Sequence, residues 1–157
     1  MCCFLTQKNM NKTIIAVHGR ANEGKSETIK NVCKIILDTF PIAKPSKENI
    51  NYSDDINLII DINGVRIGIE SQGDPNSRMI WKKTVRKLAE EKCDIILCAT
   101  RTSGETVKTV DKIANDFDYH TLWISSYFSP KLNKSILNLK AANNIIEIIK
   151  SIISSQL

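Results

Sequence analysis

Short apolar runs alternate along this chain with longer segments in which apolar residues recur every three or four positions. Runs of the first kind predict strands, because four to eight nearly continuous apolar residues are typical of strands buried on both faces. Segments of the second kind predict helices with one buried face. The five predicted strands are Thr13–His18, Leu58–Ile62, Val65–Glu70, Asp94–Ala99 and Thr121–Ser125.

Four helices are predicted from the helical spacing. They cover Ser26–Asp38, residues 78–92, the segment after Gly104, and Ser135–Ser155. The predicted inward face of the second helix consists of Trp81, Val85, Leu88 and Ala89. Residues 39–56 contain two prolines between mostly polar residues, so we expect a mobile connection there.

An Asn-Gly pair separates the second and third predicted strands. Asn63 and Gly64 both tolerate positive φ, which predicts a tight hairpin between antiparallel neighbours. The other strands alternate with helices, as in βαβ units with a parallel sheet. We therefore expect an α/β fold with a mainly parallel five-stranded sheet and one antiparallel edge strand. A single domain would cover residues 13–157, after a flexible N-terminal extension over residues 1–12.

The composition favours a soluble globular protein. The chain has 157 residues, of which 42% are hydrophobic and 25% charged, as in a soluble globular domain. It lacks a run of about 18 apolar residues, so no membrane span is expected. Cys33, Cys93 and Cys98 lie in apolar segments and no CxxC pair occurs. Buried, reduced thiols and a cytoplasmic location are therefore expected.

The formal net charge is +5, and its positive residues are spread along the chain. The densest group is Lys82, Lys83, Arg86 and Lys87. It lies on the polar side of a predicted helix, so we interpret it as a solvated face rather than a nucleic-acid patch.

One loop carries a specific chemical pattern. Gly19-Arg20-Ala21-Asn22-Glu23-Gly24-Lys25-Ser26 fits G-x-x-x-x-G-K-[ST] between a predicted strand and a predicted helix. Glycines let such a loop curl so that its backbone N–H groups surround an anion. Lys25 would bind the β- and γ-phosphates, Ser26 would ligate Mg²⁺, and the helix N-terminus with Glu27 would border the same phosphates. The alternative is a glycine-containing turn without a ligand.

This loop resembles that of the P-loop NTPase superfamily, and the order of strands and helices is similar over most of the chain. The resemblance implies a three-layer α/β/α fold that binds ATP or GTP with Mg²⁺ at the carboxyl ends of the strands. It also implies a carboxylate at the end of a second strand, near the metal.

Glu70-Ser71-Gln72-Gly73 resembles the Asp-x-x-Gly loop of the GTPase branch. The resemblance implies that Glu70 helps Ser26 to hold Mg²⁺ and that the Gly73 N–H contacts the γ-phosphate. Glutamate replaces aspartate here, which makes the carboxylate one methylene longer. Asp74 follows this loop and could orient water, bind the metal in place of Glu70, or begin the turn before Pro75. Gln72 is a further candidate for positioning water.

Base recognition is less well defined. The Asn-Lys-x-Asp motif with which related GTPases bind guanine is absent from the sequence, so ATP and GTP both remain open. Arg101, in a loop after the fourth strand, could stack on a base, reach phosphate, or lie on the surface. Tyr127 or Phe128 could flank the base.

Three functions are compatible with these motifs. The first is an NTP hydrolase or switch, in which residues 39–56 and 70–77 respond to the γ-phosphate. The second is a small-molecule or nucleotide kinase using Arg20, Arg78 or Arg101, although no arginine-rich lid is evident between residues 100 and 135. The third is a nucleotide-binding module with little turnover that acts through a protein partner.

Overall fold

The structure is a computed structural model that describes residues 10–76 and 78–157. The first nine residues of the predicted N-terminal extension lie outside this range. In chain order the elements are β1 (Thr13–His18), α1 (Lys25–Thr39), β2 (Lys44–Pro45), β3 (Asn57–Ile62), β4 (Val65–Glu70), α2 (Arg78–Trp81), α3 (Thr84–Glu90), β5 (Ile95–Thr100), α4 (Glu105–Phe117), β6 (His120–Ser125) and α5 (Lys134–Ile153).

The strands form one mixed sheet in the order β2-β3-β4-β5-β1-β6. Parallel pairing joins β4 to β5, β5 to β1 and β1 to β6, and β3 is antiparallel to both of its neighbours. The predicted α/β class and the mainly parallel sheet are confirmed. Asn63 and Gly64 have φ values of 51° and 89°, as the predicted hairpin requires.

The predicted strand count and the edge position of the antiparallel strand are wrong. A sixth strand, β2, pairs Lys44 with Asp61 and Pro45 with Ile60, so β3 lies second from the edge. Two residues are too few to show an apolar period, and proline usually argues against a strand because it has no N–H to donate. β2 therefore leaves no signal in the sequence.

Two apolar clusters cover the two faces of the sheet. One packs α1 and α5 against strand residues that include Ile15 and Val17. The other packs α2, α3 and α4 against the alternate residues Ile14 and Ala16. This division follows from the strand geometry, because successive side chains point to opposite faces. The cysteines at 33, 93 and 98 are buried, as predicted.

The helix predicted over residues 78–92 is broken, and this expectation is corrected. Lys83 adopts the left-handed conformation with φ 52° and separates α2 from α3. Val85, Leu88 and Ala89 are buried as predicted, but Trp81 is 76% exposed. The break turns the chain, so helical spacing no longer relates Trp81 to the buried face of α3.

None of the helices in the described part of the chain has the length and apolar character that a membrane span requires.

Candidate functional site

A cleft of about 470 Å³ lies at the carboxyl ends of the parallel strands. Three loops that leave this edge of the sheet contribute to it, after β1, β4 and β6. The N-terminal part of α5 and one residue before β3 complete the walls. Its lining consists of residues 22–27, Asp55, residues 71–74, Tyr127, Phe128, Lys134, Ser135 and Asn138.

The loop between β1 and α1 supplies one wall of the cleft. Of the sequence motif, residues 22–26 line the cleft together with Glu27, whereas Gly19, Arg20 and Ala21 are not among the lining residues. Gly24 precedes α1 with φ 84°, a conformation that a side chain at this position would strain. Its α-carbon also faces Asn138 so closely that an added Cβ would lie 2.2 Å from Oδ1.

Lys25 bends back over its own loop. Its Nζ donates to the carbonyl oxygens of Gly19 at 2.8 Å and Arg20 at 2.9 Å, and the residue is 7% exposed. Burial lowers the pKa of Lys25, and the positive charge of Arg101 lowers it further. The ammonium is thus a poorly solvated charge, and its hydrogen-bond partners among the described residues are neutral oxygens.

Glu23 accepts a hydrogen bond from a backbone N–H of the same loop. Its Oε2 accepts a hydrogen bond of 2.8 Å from the N–H of Arg20. The motif leaves this position unspecified, so sequence reasoning assigned Glu23 only as part of the loop. The structure shows that its carboxylate lies close enough to Lys25 to oppose the lowering of the lysine pKa.

Asp55 is the carboxylate that the structure brings to Ser26. Asp55 Oδ1 lies 2.5 Å from Ser26 Oγ and 2.7 Å from Ser71 Oγ, and Ser26 Oγ also lies 2.9 Å from the carbonyl oxygen of Ser71. Burial by itself would raise the pKa of Asp55. The hydrogen bonds from Ser26 and Ser71, with the charges of Lys30 and Arg78, outweigh burial and lower it.

Sequence reasoning missed Asp55. It lies at the end of the connection predicted to be mobile, where the acidic pair Asp54-Asp55 before a strand was the one available signal. Its position is fixed by β4, because Ile56 N donates to Ser71 Oγ at 2.8 Å and Ser71 N donates to the Ile56 carbonyl at 3.0 Å.

Glu70 lies at the end of β4, as predicted, but its carboxylate is bonded elsewhere. It is fully buried and accepts hydrogen bonds from Arg78 Nε and Nη2, Asn57 Nδ2 and the Gln72 N–H, with the shortest at 2.8 Å. Glu70 is not among the residues that line the cleft. The structure therefore does not bring Glu70 together with the Ser26 hydroxyl as the sequence prediction expected.

The loop after β4 places Gln72, Gly73 and Asp74 in the cleft wall. Gly73 packs so tightly on β5 that an added Cβ would lie 2.3 Å from the Ala99 carbonyl oxygen. Gln72 Oε1 accepts from the Arg78 N–H at 3.2 Å. The loop is thus fixed at Gly73 by the sheet and at Gln72 by the start of α2.

Asp74 and Arg101 form an ion pair beside the cleft. Asp74 Oδ1 accepts from Arg101 Nε at 3.1 Å and lies 3.1 Å from Nη2. Arg101 is not a lining residue, yet its charge acts on the pKa of Lys25. The guanidinium is therefore within electrostatic range of Lys25 in the loop between β1 and α1.

Another part of the cleft lining is aromatic. Tyr127 and Phe128, expected from sequence as possible neighbours of a base, both line it and are partly exposed. Lys134 Nζ lies 5.9 Å from the centre of the Phe128 ring. Lys134 and Asn138 were not expected, since their helix was predicted only as a packing element.

The lining of this cleft carries charges of both signs. Its lining contains Lys25 and Lys134, the carboxylates of Glu23, Glu27, Asp55 and Asp74, and the Ser26 hydroxyl. In the described part of the chain, no three His, Cys, Asp or Glu side chains cluster closely enough to hold a metal ion by themselves. Comparisons of the chain with models of protein families, with curated proteins and with solved structures found no significant match.

Proposed function

We propose that this chain is a P-loop NTPase: it binds a nucleoside triphosphate with Mg²⁺ in the cleft and hydrolyses the γ-phosphate. The observation that carries the proposal is the loop between β1 and α1. It contains a complete G-x-x-x-x-G-K-[ST] pattern, its residues 22–26 line a cleft, and among the described residues Lys25 has no anionic hydrogen-bond partner. Such a pattern in a strand–loop–helix context is specific for phosphate binding.

The phosphates would be bound by backbone N–H groups, by the start of α1 and by Lys25. α1 is 15 residues long and begins after Gly24 without a hydrogen bond from a capping side chain, so its first N–H groups are available to an anion. Lys25 would exchange two neutral carbonyl partners for phosphate oxygens. That exchange favours binding, because a phosphate oxygen adds an opposite charge where the ammonium now faces only carbonyl dipoles.

The residues beside Ser26 fit Mg²⁺. Magnesium prefers hydroxyl, carboxylate and phosphate oxygens, and it usually binds through one or two protein groups plus substrate phosphates. Ser26 donates its proton towards Asp55, which leaves oxygen lone pairs for a metal. Mg²⁺ bound there would neutralise charge on the β- and γ-phosphates. We assign the supporting carboxylate to Asp55 rather than Glu70, whose oxygens are already engaged by Arg78 and Asn57.

The charge balance of the cleft makes binding dependent on a cation. Four carboxylates and two ammonium groups line it, giving 2 − 4 = −2 formal charges. A triphosphate brings several more negative charges into the same volume. Without a divalent cation these charges repel, so we expect weak binding in the presence of a chelator.

Hydrolysis is the reaction that the loop after β4 supports best. Gln72 and Asp74 line the cleft and carry groups that can orient a water molecule, and the Gly73 N–H lies on the same loop. Arg101 is positioned to exchange Asp74 for a phosphate oxygen, which would place a positive charge near the transferred group. Positioning and electrostatics supply most of the rate gain in phosphoryl transfer.

The kinase and the partner module remain weaker proposals. Arg78, the best candidate for a kinase arginine, is bonded to Glu70, with a closest contact of 2.8 Å. It is thus less available for a transferred phosphoryl group.

Tyr127, Phe128 and Lys134 would flank the base, and these three side chains do not by themselves distinguish ATP from GTP.

The experiment compares Lys25→Ala with Lys34→Ala, an exposed lysine on the same helix that does not line the cleft. Thermal shifts are measured with ATP, GTP and their diphosphates, each with Mg²⁺ or with EDTA. A ligand at 100 times its Kd should stabilise the folded state by about 2.7 kcal/mol. We expect this shift in the wild type and in Lys34→Ala, and its loss in Lys25→Ala or with EDTA.

Phosphate release is then measured with the nucleotide that binds. Release with water alone supports a hydrolase, whereas release that requires an added acceptor supports a kinase. Binding without release supports the partner module. If Lys25→Ala binds both triphosphates as tightly as the wild type, the site assignment is wrong.

A further inference from the structure

A second groove lies on the other face of the sheet, between α2, α3 and α4. It has a volume of about 360 Å³ and is lined by Met79, Ile80, Lys83, Arg86, Thr109, Lys112 and Asp116. These residues belong to none of the walls of the nucleotide cleft. We call this surface the basic groove.

The charges of the basic groove are unbalanced. Lys83, Arg86 and Lys112 face the single carboxylate of Asp116. Asp116 is already engaged, because it lies 2.6 Å from Arg86 Nη2 and 3.4 Å from Lys112 Nζ. The exposed Lys82 and Lys87 adjoin this group in sequence. The groove therefore presents a positive surface with little internal compensation, which attracts acidic groups.

Apolar surface adjoins these cations. Ile80 lines the groove and is partly exposed, whereas Met79 beneath it is fully buried, and Trp81 follows in sequence with 76% of its surface exposed. Tryptophan is enriched at the energetic centres of protein interfaces, where its large ring is buried on binding. Among the residues that the structure describes, none buries this indole, which directly follows a groove residue in sequence.

We propose that the basic groove is a docking site for a segment of a partner protein that carries acidic residues beside a large apolar side chain. Its carboxylates would pair with Lys83 and Lys112, and its apolar side chain would cover Trp81. A nucleic acid fits less well. Protein–DNA contacts commonly use six to ten phosphates along an extended surface, whereas these cations occupy one small groove around a carboxylate.

The test measures fluorescence anisotropy of three short labelled peptides and of a short DNA duplex. The first peptide alternates glutamate with leucine and phenylalanine. The second replaces the apolar residues by serine, and the third replaces glutamate by lysine. We expect the first peptide to bind, and the other two to bind at least roughly tenfold more weakly.

Variants locate the binding. Lys83→Glu combined with Lys112→Glu should weaken the first peptide by at least roughly tenfold, and Trp81→Ala should do the same without changing the charge. Lys47→Glu combined with Lys140→Glu changes the charge equally, at exposed lysines outside the groove, and should leave affinity within about twofold. Melting curves verify folding, and Lys112→Glu alone serves if the double variant is unfolded.

Three results would overturn the proposal. The first is an absence of measurable binding of the acidic apolar peptide. The second is an equal loss of affinity in both double-lysine variants, which would indicate non-specific attraction. The third is tighter binding of the duplex than of the peptide, which would assign the surface to nucleic acid.

Discussion

The proposed function needs a carboxylate that supports Mg²⁺. Asp55 and Glu70 are the two candidates, and a pair of isosteric substitutions separates them. Asp55→Asn and Glu70→Gln each remove one negative charge with almost no change in volume. We expect opposite effects: Glu70→Gln should damage stability but spare nucleotide affinity, and Asp55→Asn should damage affinity more than stability.

The expected stability loss for Glu70→Gln follows from its contacts. The carboxylate is fully buried, and its ion pair with Arg78 has a closest distance of 2.8 Å. Breaking a buried pair by removing one partner costs about 3–5 kcal/mol. The Arg78 side chain retains 27% exposure, so the lower end, about 3 kcal/mol, applies. At about 2–4 °C per kcal/mol for a chain of this size, the melting temperature should fall by about 6–12 °C.

Asp55→Asn is expected to weaken the binding of nucleotide with Mg²⁺. An amide can still accept from Ser26 and Ser71, so the stability loss should be about 1 kcal/mol. Its neutral oxygen supports a metal-ligating hydroxyl less well than a carboxylate. Removing a residue that orients a metal ligand typically costs about 10–100-fold in metal affinity or activity. The affinity for Mg²⁺ with ATP or GTP should fall by this factor, which is about 1.4–2.8 kcal/mol.

The assay is calorimetric titration of the nucleotide with Mg²⁺ at a temperature where both variants are folded, paired with denaturant unfolding. The control is the same nucleotide titration with EDTA in place of Mg²⁺. In it, the nucleotide affinities of Asp55→Asn and the wild type should differ little. The reasoning is refuted if Glu70→Gln loses Mg²⁺-dependent affinity while Asp55→Asn retains it, because Glu70 would then serve the metal despite its bonds to Arg78.

Three further predictions concern the same cleft. Glu23→Ala removes the side-chain acceptor that competes for the Arg20 N–H, so nucleotide affinity measured by calorimetry should rise roughly tenfold. A weaker affinity would contradict this competition. Gly73→Ala places a Cβ against the Ala99 carbonyl, so denaturant unfolding should show that the free energy of unfolding falls by about 1–3 kcal/mol. Calorimetry should also show that the affinities for triphosphate and diphosphate differ less than in the wild type. Nucleotide affinity should fall as pH rises through the lowered pKa of Lys25, below the ordinary 10.5. Lys25→Arg should move that fall to higher pH, and identical pH profiles would exclude Lys25 as the titrating group.

Most of the sheet could be predicted because β1, β4 and β5 are largely buried and therefore apolar. The bounds of β1 and β4 are as predicted, and those of β3, β5 and β6 differ by one residue. The errors arose where tertiary contacts override periodicity. Trp81 fits the helical spacing of α3 but precedes a left-handed residue at Lys83. β2 depends on pairing with β3 rather than on its own two residues.

The site was predictable only where its residues are consecutive. Residues 22–26 could be assigned to one site because the motif is local in sequence and because Gly24 has a positive φ that favours glycine. Asp55 and Asn138 reach the same cleft from 29 residues after Ser26 and from the last helix, so only the folded chain brings them together. The direction of Glu70 depends on Asn57 and Arg78, and neither position is encoded by a motif.

The charged groups beside the phosphate loop are satisfied within the protein, and this has a consequence for nucleotide discrimination. Lys25 is bonded to two carbonyls, Glu23 to a backbone N–H, and Arg101 to Asp74. A bound phosphate must replace such contacts, each of which contributes about 0.5–1.5 kcal/mol. If the proposed nucleotide site is correct, a γ-phosphate near Gly73 and Asp74 would replace the Asp74–Arg101 pair, whereas a diphosphate would leave it intact. Exchange of this pair therefore provides a physical basis for a difference between the triphosphate and diphosphate states.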